Sequence, residues 1–229
     1  MPQQPARPAA LRGRVFRGTS VVAQGVLTPD QLRGSTWRRV WPDVYADVDL
    51  PEGHGLIVRA VSLLAPSVAV FGGRTAALLQ GAPELLRVDD PVEVVLPPGT
   101  RWSPRGRVRV RTAELPDEDV DRRHGLRVTS PVRTAVDPLR REPLDDAVVA
   151  LDQLVQRRVV RLGEVRDAAA ALPRSRGSRQ ARRPREVDPD HEGALAPDLV
   201  LRHGQRQAGP HEDQAQAAAR ARVRRPVAR

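Results

Sequence analysis

Residues 26–48, VLTPDQLRGSTWRRVWPDVYADV, decide how the amino-terminal part of this chain is read. Thr28 can cap a helix, Pro29 suits the first helical position, where no N–H is needed, and Asp30 favours the positive end of the helix dipole. A short helix from Thr28 to Arg33 is predicted. Gly34 then permits a tight turn, and Ser35 or Thr36 can cap a second helix carrying Trp37, Arg38, Arg39 and Val40. That helix has room for about two turns before Pro42. Val44, Tyr45 and Ala46 alternate as a strand should. Helix, turn, helix and wing is a DNA-reading shape; a short helical hairpin with a few arginines also serves as plain scaffold.

Working outward, Leu11, Val15, Phe16, Val21 and Val22 supply apolar positions for a helix ahead of this stretch, interrupted by Gly13, Gly18 and Gly25. A winged helix-turn-helix unit over residues 11–50 is the expectation, preceded by a Pro/Gln/Ala leader, residues 1–10, without fixed structure. After Pro51, Gly53 and Gly55, the run LIVRAVSLLAP predicts a buried helix ended by Pro66. Val68, Val70 and Phe71 make a short extended piece, and Arg74 to Gln80 a helix closed by Gly81. The pair Gly72-Gly73 lacks the spacing of a nucleotide fingerprint, so close packing explains it better than phosphate binding.

Val92 to Leu96 and Arg107 to Arg111 both alternate with period two and are expected to pair as neighbouring antiparallel strands across a Pro/Gly-rich loop containing Trp102. Arg107, Arg109 and Arg111 then share a face, either tracking a phosphate backbone or forming the solvated side of a half-buried sheet opposite Glu93. ELPDEDVDRR reads as an acidic connection. Leu126 and Val128 are strand-like. Ser130 caps a helix beginning at Pro131, with Arg133 and Asp137 one turn apart and Pro138 stopping or kinking it. Leu144, Val148, Leu151 and Val155 mark one face of the next helix, and Arg161 to Leu172 a last one.

Chemistry is hard to place on this pattern. Ser130, His124 and Asp137 lie close in sequence, but a capping hydroxyl is spent on backbone N–H groups and no nucleophile elbow surrounds Ser130. Asp145, Asp146 and Asp152 suit a solvated helix face. His191, His203 and His211 lack fixed ligand spacing. The chain has no cysteine, hence no disulfide, thiolate metal site or thiol nucleophile. No catalytic residue, metal or cofactor is expected. The chain starts without a long apolar run, so neither a signal peptide nor a membrane span is read there, and the cytoplasm is the expected location.

Net charge +10 and pI near 11.4 point towards nucleic acid. The inference needs a discount, because every one of the 38 basic residues is Arg and Asn is absent, which points to a GC-rich coding sequence. Location is more useful than the sum. Residues 1–46 hold seven Arg against two acids, residues 47–173 hold 18 against 19, and residues 174–229 hold 13 against seven. The middle is an ordinary balanced globular region. From Pro173 onward Arg, Ala, Pro, Gln and Gly dominate without an aromatic, so a disordered basic tail over 173–229 is expected.

GVLTPDQL with WRRVWPDVYA, then GGRTAALLQGA, VEVVLPPG, GLRVTSPVRTAVD and PLDDAVVALDQLV resemble, in their order and spacing over about residues 15 to 172, the AbiEi-type antitoxins and transcriptional regulators of GC-rich bacteria. The resemblance implies an α+β protein: an N-terminal winged helix joined to a small α+β domain, here about residues 55–172 with a short antiparallel sheet. It implies a regulator that binds the promoter of its own toxin–antitoxin operon, the partner being a nucleotidyltransferase-like toxin. Longer relatives continue into an endonuclease-like domain related to very-short-patch-repair nucleases, whose ordered carboxylates and following His are not found after residue 173; the tail then reads as an out-of-frame or degenerate remnant.

On this basis Ser35, Thr36, Arg38 and Arg39 are the expected DNA contacts, with Arg12, Arg14 and Arg17 adding sequence-independent affinity. Trp37 and Tyr45 pack the reader against its wing, and Ser130 and Pro131 start a helix. Two alternatives stand beside the regulator: the recognition half of a nuclease without its catalytic half, and a protein-interaction module using Glu114 to Asp121 or Leu144 to Gln156.

Overall fold

The computed structural model describes residues 7–172 together with Ala181; the expectations for the first six residues and for the basic tail, its histidines included, lie outside the described residues. Among the described residues the architecture is mixed α+β, with two sheets.

The amino-terminal part begins with a short 3-10 turn, Ala9–Leu11, then β1 (Val15–Arg17), α1 (Gly18–Ala23), α2 (Pro29–Leu32), β2 (Trp37–Trp41) and β3 (Val44–Asp47). The three strands form an antiparallel sheet in the order β1-β3-β2. Leu11, Phe16, Val21, Leu27, Leu32 and Trp37 are buried together beneath it. Phe16 is the hub: the Trp37 ring meets it edge-on at 5.1 Å, and Tyr45 stacks on it at 6.3 Å.

Three sequence expectations fail here. Residues 7–10, expected to lack fixed structure, are held in place, with Arg7 donating to Asp47 at 2.6 Å and Ala9 opening the 3-10 turn. Trp37 to Val40 is not a second helix but strand β2, paired with β3 from Trp37↔Asp47 to Trp41↔Val44. WRRVW is aromatic and β-branched, and a helix of under two turns has little stability of its own, whereas the tight Pro42-Asp43 turn, with Asp43 at φ 63°, folds the strand straight back onto β3. Residues 11–22 likewise are no single helix. Gly13 breaks the path at φ 64°, Val15 and Phe16 pair with Ala46 and Tyr45, and helix begins only at Gly18. The predicted α2 is present, with Thr28 Oγ1 accepting from Gln31 N–H at 3.2 Å and Gln31 Oε1 accepting from Thr28 N–H at 2.8 Å.

The remainder runs α3 (His54–Ser62), β4 (Val70–Phe71), α4 (Gly73–Leu79), β5 (Val92–Leu96), β6 (Val108–Thr112), β7 (Val120–Arg123), β8 (Leu126–Thr129), α5 (Pro131–Arg141), α6 (Leu144–Gln156) and α7 (Leu162–Ala171). Five strands form one sheet in the order β6-β5-β4-β8-β7. β5, between β6 and β4, is buried along its whole length. Its Val92, Val94 and Leu96 pack with Val58 and Val61 of α3, while Glu93 and Val95 on the opposite face meet α4. Beyond α4, helices α5 to α7 bury Ala135, Leu139, Leu151, Leu154 and Val165 in a second core.

This sheet is mixed, not antiparallel. β5 and β6 are neighbours as expected, yet they run parallel, Val92↔Val108 through Leu96↔Thr112. Residues 97–107 therefore form no hairpin; they carry the chain back over the α3 side of the sheet, where Trp102 packs against the same core as Val58 and Val61. The acidic connection contains a strand, β7, which turns through His124 and Gly125, at φ 51° and 78°, into β8. Pro138 does not end α5. The helix runs on to Arg141, braced across the proline by Asp137, which takes Arg133 Nε at 2.9 Å and Arg141 Nη1 at 3.1 Å. In α6 the buried face is Ala147, Ala150, Leu151 and Leu154, leaving Val148 and Val149 exposed.

Ser130 caps α5 as predicted, its hydroxyl accepting from Arg133 N–H at 3.3 Å with Pro131 in first position. Ser130→Ala should cost about 1 kcal/mol, a fall of roughly 2–4 °C in a thermal melt. An unchanged melt would show that the cap contributes nothing.

Candidate nucleic-acid interface

α1 and α2 are consecutive short helices joined through residues 24–28, and the β2–β3 hairpin follows directly, so the helix pair and the extended ribbon belong to one small core around Phe16. The outer surface of α2 carries Asp30, Gln31 and Arg33, all exposed. Arg33 pairs with Asp30, and Gln31 closes the helix start.

The structure treats the seven expected contacts unequally. Ser35, Arg12, Arg14 and Arg39 are exposed, and among the described residues none of these arginines meets a carboxylate. Thr36 is buried. Arg38 is committed to the link towards α3, its Nη1 donating to Glu52 at 2.8 Å and its Nη2 to the Leu50 carbonyl at 2.7 Å. Arg17 donates to Asp43 at 3.0 Å, tying the end of β1 to the hairpin turn. Trp37 and Tyr45 both pack on Phe16, as side chains of the two ribbon strands.

Two residues that sequence reasoning missed hold this module together. Asp43 accepts from the Thr19 N–H and hydroxyl, both at 2.8 Å. Burial alone would raise its pKa, but those bonds and Arg17 win and hold it below the ordinary carboxylate value. Asp47 is fully buried and accepts from Arg7 at 2.6 Å, the Gly13 N–H at 2.7 Å and the Asp49 N–H at 3.2 Å. Here too burial opposes ionisation, and the Arg7 and backbone bonds overcome it, leaving the pKa lowered. The aspartate after Pro42 in a hairpin turn was a legible signal; nothing local marks Asp47.

Between the small sheet and the larger one lies a cleft of about 400 Å³ lined by Arg38, Trp41, Glu52, His54, Asp90 and Arg107 among others. Its charges are largely spoken for. Glu52 holds Arg38, Asp89 holds Arg107, and His54 Nε2 shares a 2.9 Å hydrogen bond with the Thr75 hydroxyl. Burial lowers the His54 pKa; Asp90 opposes this and Arg107 reinforces it, so the neutral imidazole is favoured. Among the described residues no group of three or more His, Cys, Asp or Glu could hold a metal ion, and no helix is long and apolar enough to cross a membrane.

The Ser130, His124 and Asp137 grouping dissolves in three dimensions, since Ser130 caps α5, Asp137 binds two arginines and His124 sits exposed in the β7–β8 turn. On β6, Arg111 pairs with buried Glu93 at 3.0 Å, while Arg109 stays exposed.

Known proteins give the geometry a context. A crystal structure of the RV2827C protein from Mycobacterium tuberculosis is similar, with a TM-score of 0.50 and 17% identity, over 74% of this chain and 70% of that one, a likeness of fold alone. No curated protein matches the sequence. Residues 68–186 match the model of the AbiEi antitoxin C-terminal domain. That stretch is more than half of the chain and takes in the five-stranded sheet and the helices after it; the protein belongs to the AbiEi antitoxin family, and its role is that of an antitoxin acting with a toxin partner.

Proposed function

We propose that this antitoxin is a non-enzymatic DNA-binding regulator that represses its own operon, with α1–α2 as a helix-turn-helix, α2 as its reading helix and the β2–β3 hairpin as a wing. The observation that carries this is the element order β1-α1-α2-β2-β3 on a β1-β3-β2 sheet, with Arg39 projecting unpaired from the hairpin. Two short helices followed by a ribbon allow one helix to enter a groove while the ribbon reaches the adjacent backbone. The reading surface thus moves one element upstream of where sequence placed it, from residues 35–40 to residues 29–35. The wing supplies phosphate affinity. The cognate toxin is a nucleotidyltransferase-like protein, acting in the same system.

A gel-shift titration on the gene's own upstream region tests the proposal. Arg39→Ala should weaken binding about five- to tenfold and reduce the slope of log affinity against log salt by about 0.9, one phosphate contact. The melting temperature should hold, because the side chain is exposed. A wild-type protein that leaves that region unshifted in dilute salt would overturn the assignment, and Mg²⁺-dependent cleavage would overturn its non-enzymatic part.

A protein-interaction module is the second reading, favoured by the exposure of Val148 and Val149 on α6. Co-purification of the neighbouring gene product in the absence of any DNA affinity would select it.

A further inference from the structure

Parallel neighbouring strands are ordinarily joined by a helical crossover. Here β5 and β6 are joined by PPGTRWSPRGR, residues 97–107, a stretch with three arginines, Arg101, Arg105 and Arg107, and no acid. Its position is fixed at two points. Trp102 is half-buried against the α3 side of the sheet. Gly106 lies under the edge of Trp41, so close that an added Cβ would stand 2.7 Å from Cη2 of that ring. Trp41 is the last residue of β2, and it lines a shared hollow of about 290 Å³ with Pro42, Leu64, Trp102, Ser103, Pro104 and Arg105. The crossover and the hairpin tip are therefore one continuous surface.

Charge on that surface is one-sided. Arg39, Arg101 and Arg105 are exposed, and among the described residues none of them pairs with a carboxylate. The nearby acids are occupied: Asp89 with Arg107 and Glu52 with Arg38. The balanced middle of the chain thus carries a local cationic ridge beside the hairpin, which its net charge conceals.

We propose that the β5–β6 crossover is a second contact to duplex DNA, in which Arg101 and Arg105 engage the phosphate backbone just beyond the segment reached by the β2–β3 hairpin. The proposal rests on the DNA-reading role given above and extends it into the antitoxin domain. Free guanidinium groups held on an anchored loop suit a polyanion, and each phosphate neutralised releases condensed counterions. Trp102 and Trp41 act as anchors, not as stacking platforms, since both are partly buried in the protein.

The test compares full-length wild type, Arg101→Ala with Arg105→Ala, and a charge-matched control, Arg122→Ala with Arg123→Ala, on β7 at the opposite edge of the sheet. Operator affinity is titrated at several salt concentrations and backbone protection is mapped with hydroxyl radicals. The loop variant should bind about tenfold more weakly, with a salt slope smaller by about two, and should lose protection at one end of the footprint. The control should keep both slope and footprint. Gly106→Ala, which alters no charge but lifts the loop from Trp41, should shorten the footprint in the same place while melting shows the protein folded. A loop variant whose slope and protection equal the control's overturns the proposal and leaves the reader intact. Loss of toxin neutralisation with unchanged DNA binding also overturns it, giving the ridge to a protein partner. A wild type that binds no operator removes both.

Discussion

Asp47→Ala should lower the thermal stability of the amino-terminal module by about 3 kcal/mol, roughly 6–12 °C in a melt of a chain this size. Asp47 is completely buried at the end of β3, where its carboxylate gathers Arg7, the Gly13 N–H and the Asp49 N–H. Alanine leaves two N–H groups without their acceptor and Arg7 with Asp49 as its remaining partner. Breaking a fully buried pair costs about 3–5 kcal/mol, and the lower figure is taken because Arg7 is about one-third exposed. The effect carries a pH signature. The folded pKa of Asp47 is depressed below the unfolded value, so its stabilisation is complete above about pH 5 and is lost as pH falls through the folded pKa. The gap between wild type and variant should narrow steadily on acidification below pH 5. A gap constant down to pH 3 would mean that the carboxylate's charge is not what stabilises the strand.

Gly73→Ala should be at least as damaging, by about 3–5 kcal/mol, and in the antitoxin domain. Gly73 opens α4 at φ 53°, a conformation an L-residue adopts only under strain, and an added Cβ would lie 2.6 Å from the carboxyl carbon of Glu93. Glu93 cannot readily yield, being buried in β5 and held by Arg111 at 3.0 Å. Strain and overpacking each cost about 1–3 kcal/mol. A double-mutant cycle separates them: in a Glu93→Ala background the same glycine change should cost only about 1 kcal/mol, measured by denaturant unfolding. Strict additivity would refute the contact with Glu93 as the cause. This is also the physical content of the Gly72-Gly73 pair, in which Gly72 lies against Val95 and Gly73 against the Glu93 carboxylate.

The amino-terminal module shows why local signals carry only so far. Thr28, Pro29 and Asp30 placed α2 correctly because the signals of a helix start lie within three residues, and the structure adds Gln31 to complete a capping box. The same local logic, applied to Ser35 and Thr36, invented a second helix. Hydroxyl residues before an apolar run also precede strands, and β2 exists only because β3 lies beside it. The candidate contacts shifted for the same reason. Arg39 stayed exposed, but Arg38 was claimed by Glu52 and the Leu50 carbonyl, partners 14 and 12 residues away. The ridge at Arg101 and Arg105 was hidden, because its meaning depends on the hairpin tip of a different sheet.

By itself, the sequence determined what is settled within one or two turns: the caps at Thr28 and Ser130, the helices near residues 56–62 and 74–79, the strands at 92–96 and 108–112, and, through the order of its motifs, the antitoxin family. Tertiary structure alone decided strand direction, which side chains are free, and where the charge gathers. β5 and β6 run parallel with Trp102 of their crossover packed into the core that α3 covers, and Asp47 is ionised in a buried site because Arg7 and Gly13 arrive from 40 and 34 residues away. In each case the energy comes from a contact between distant segments, which no window of neighbouring residues contains.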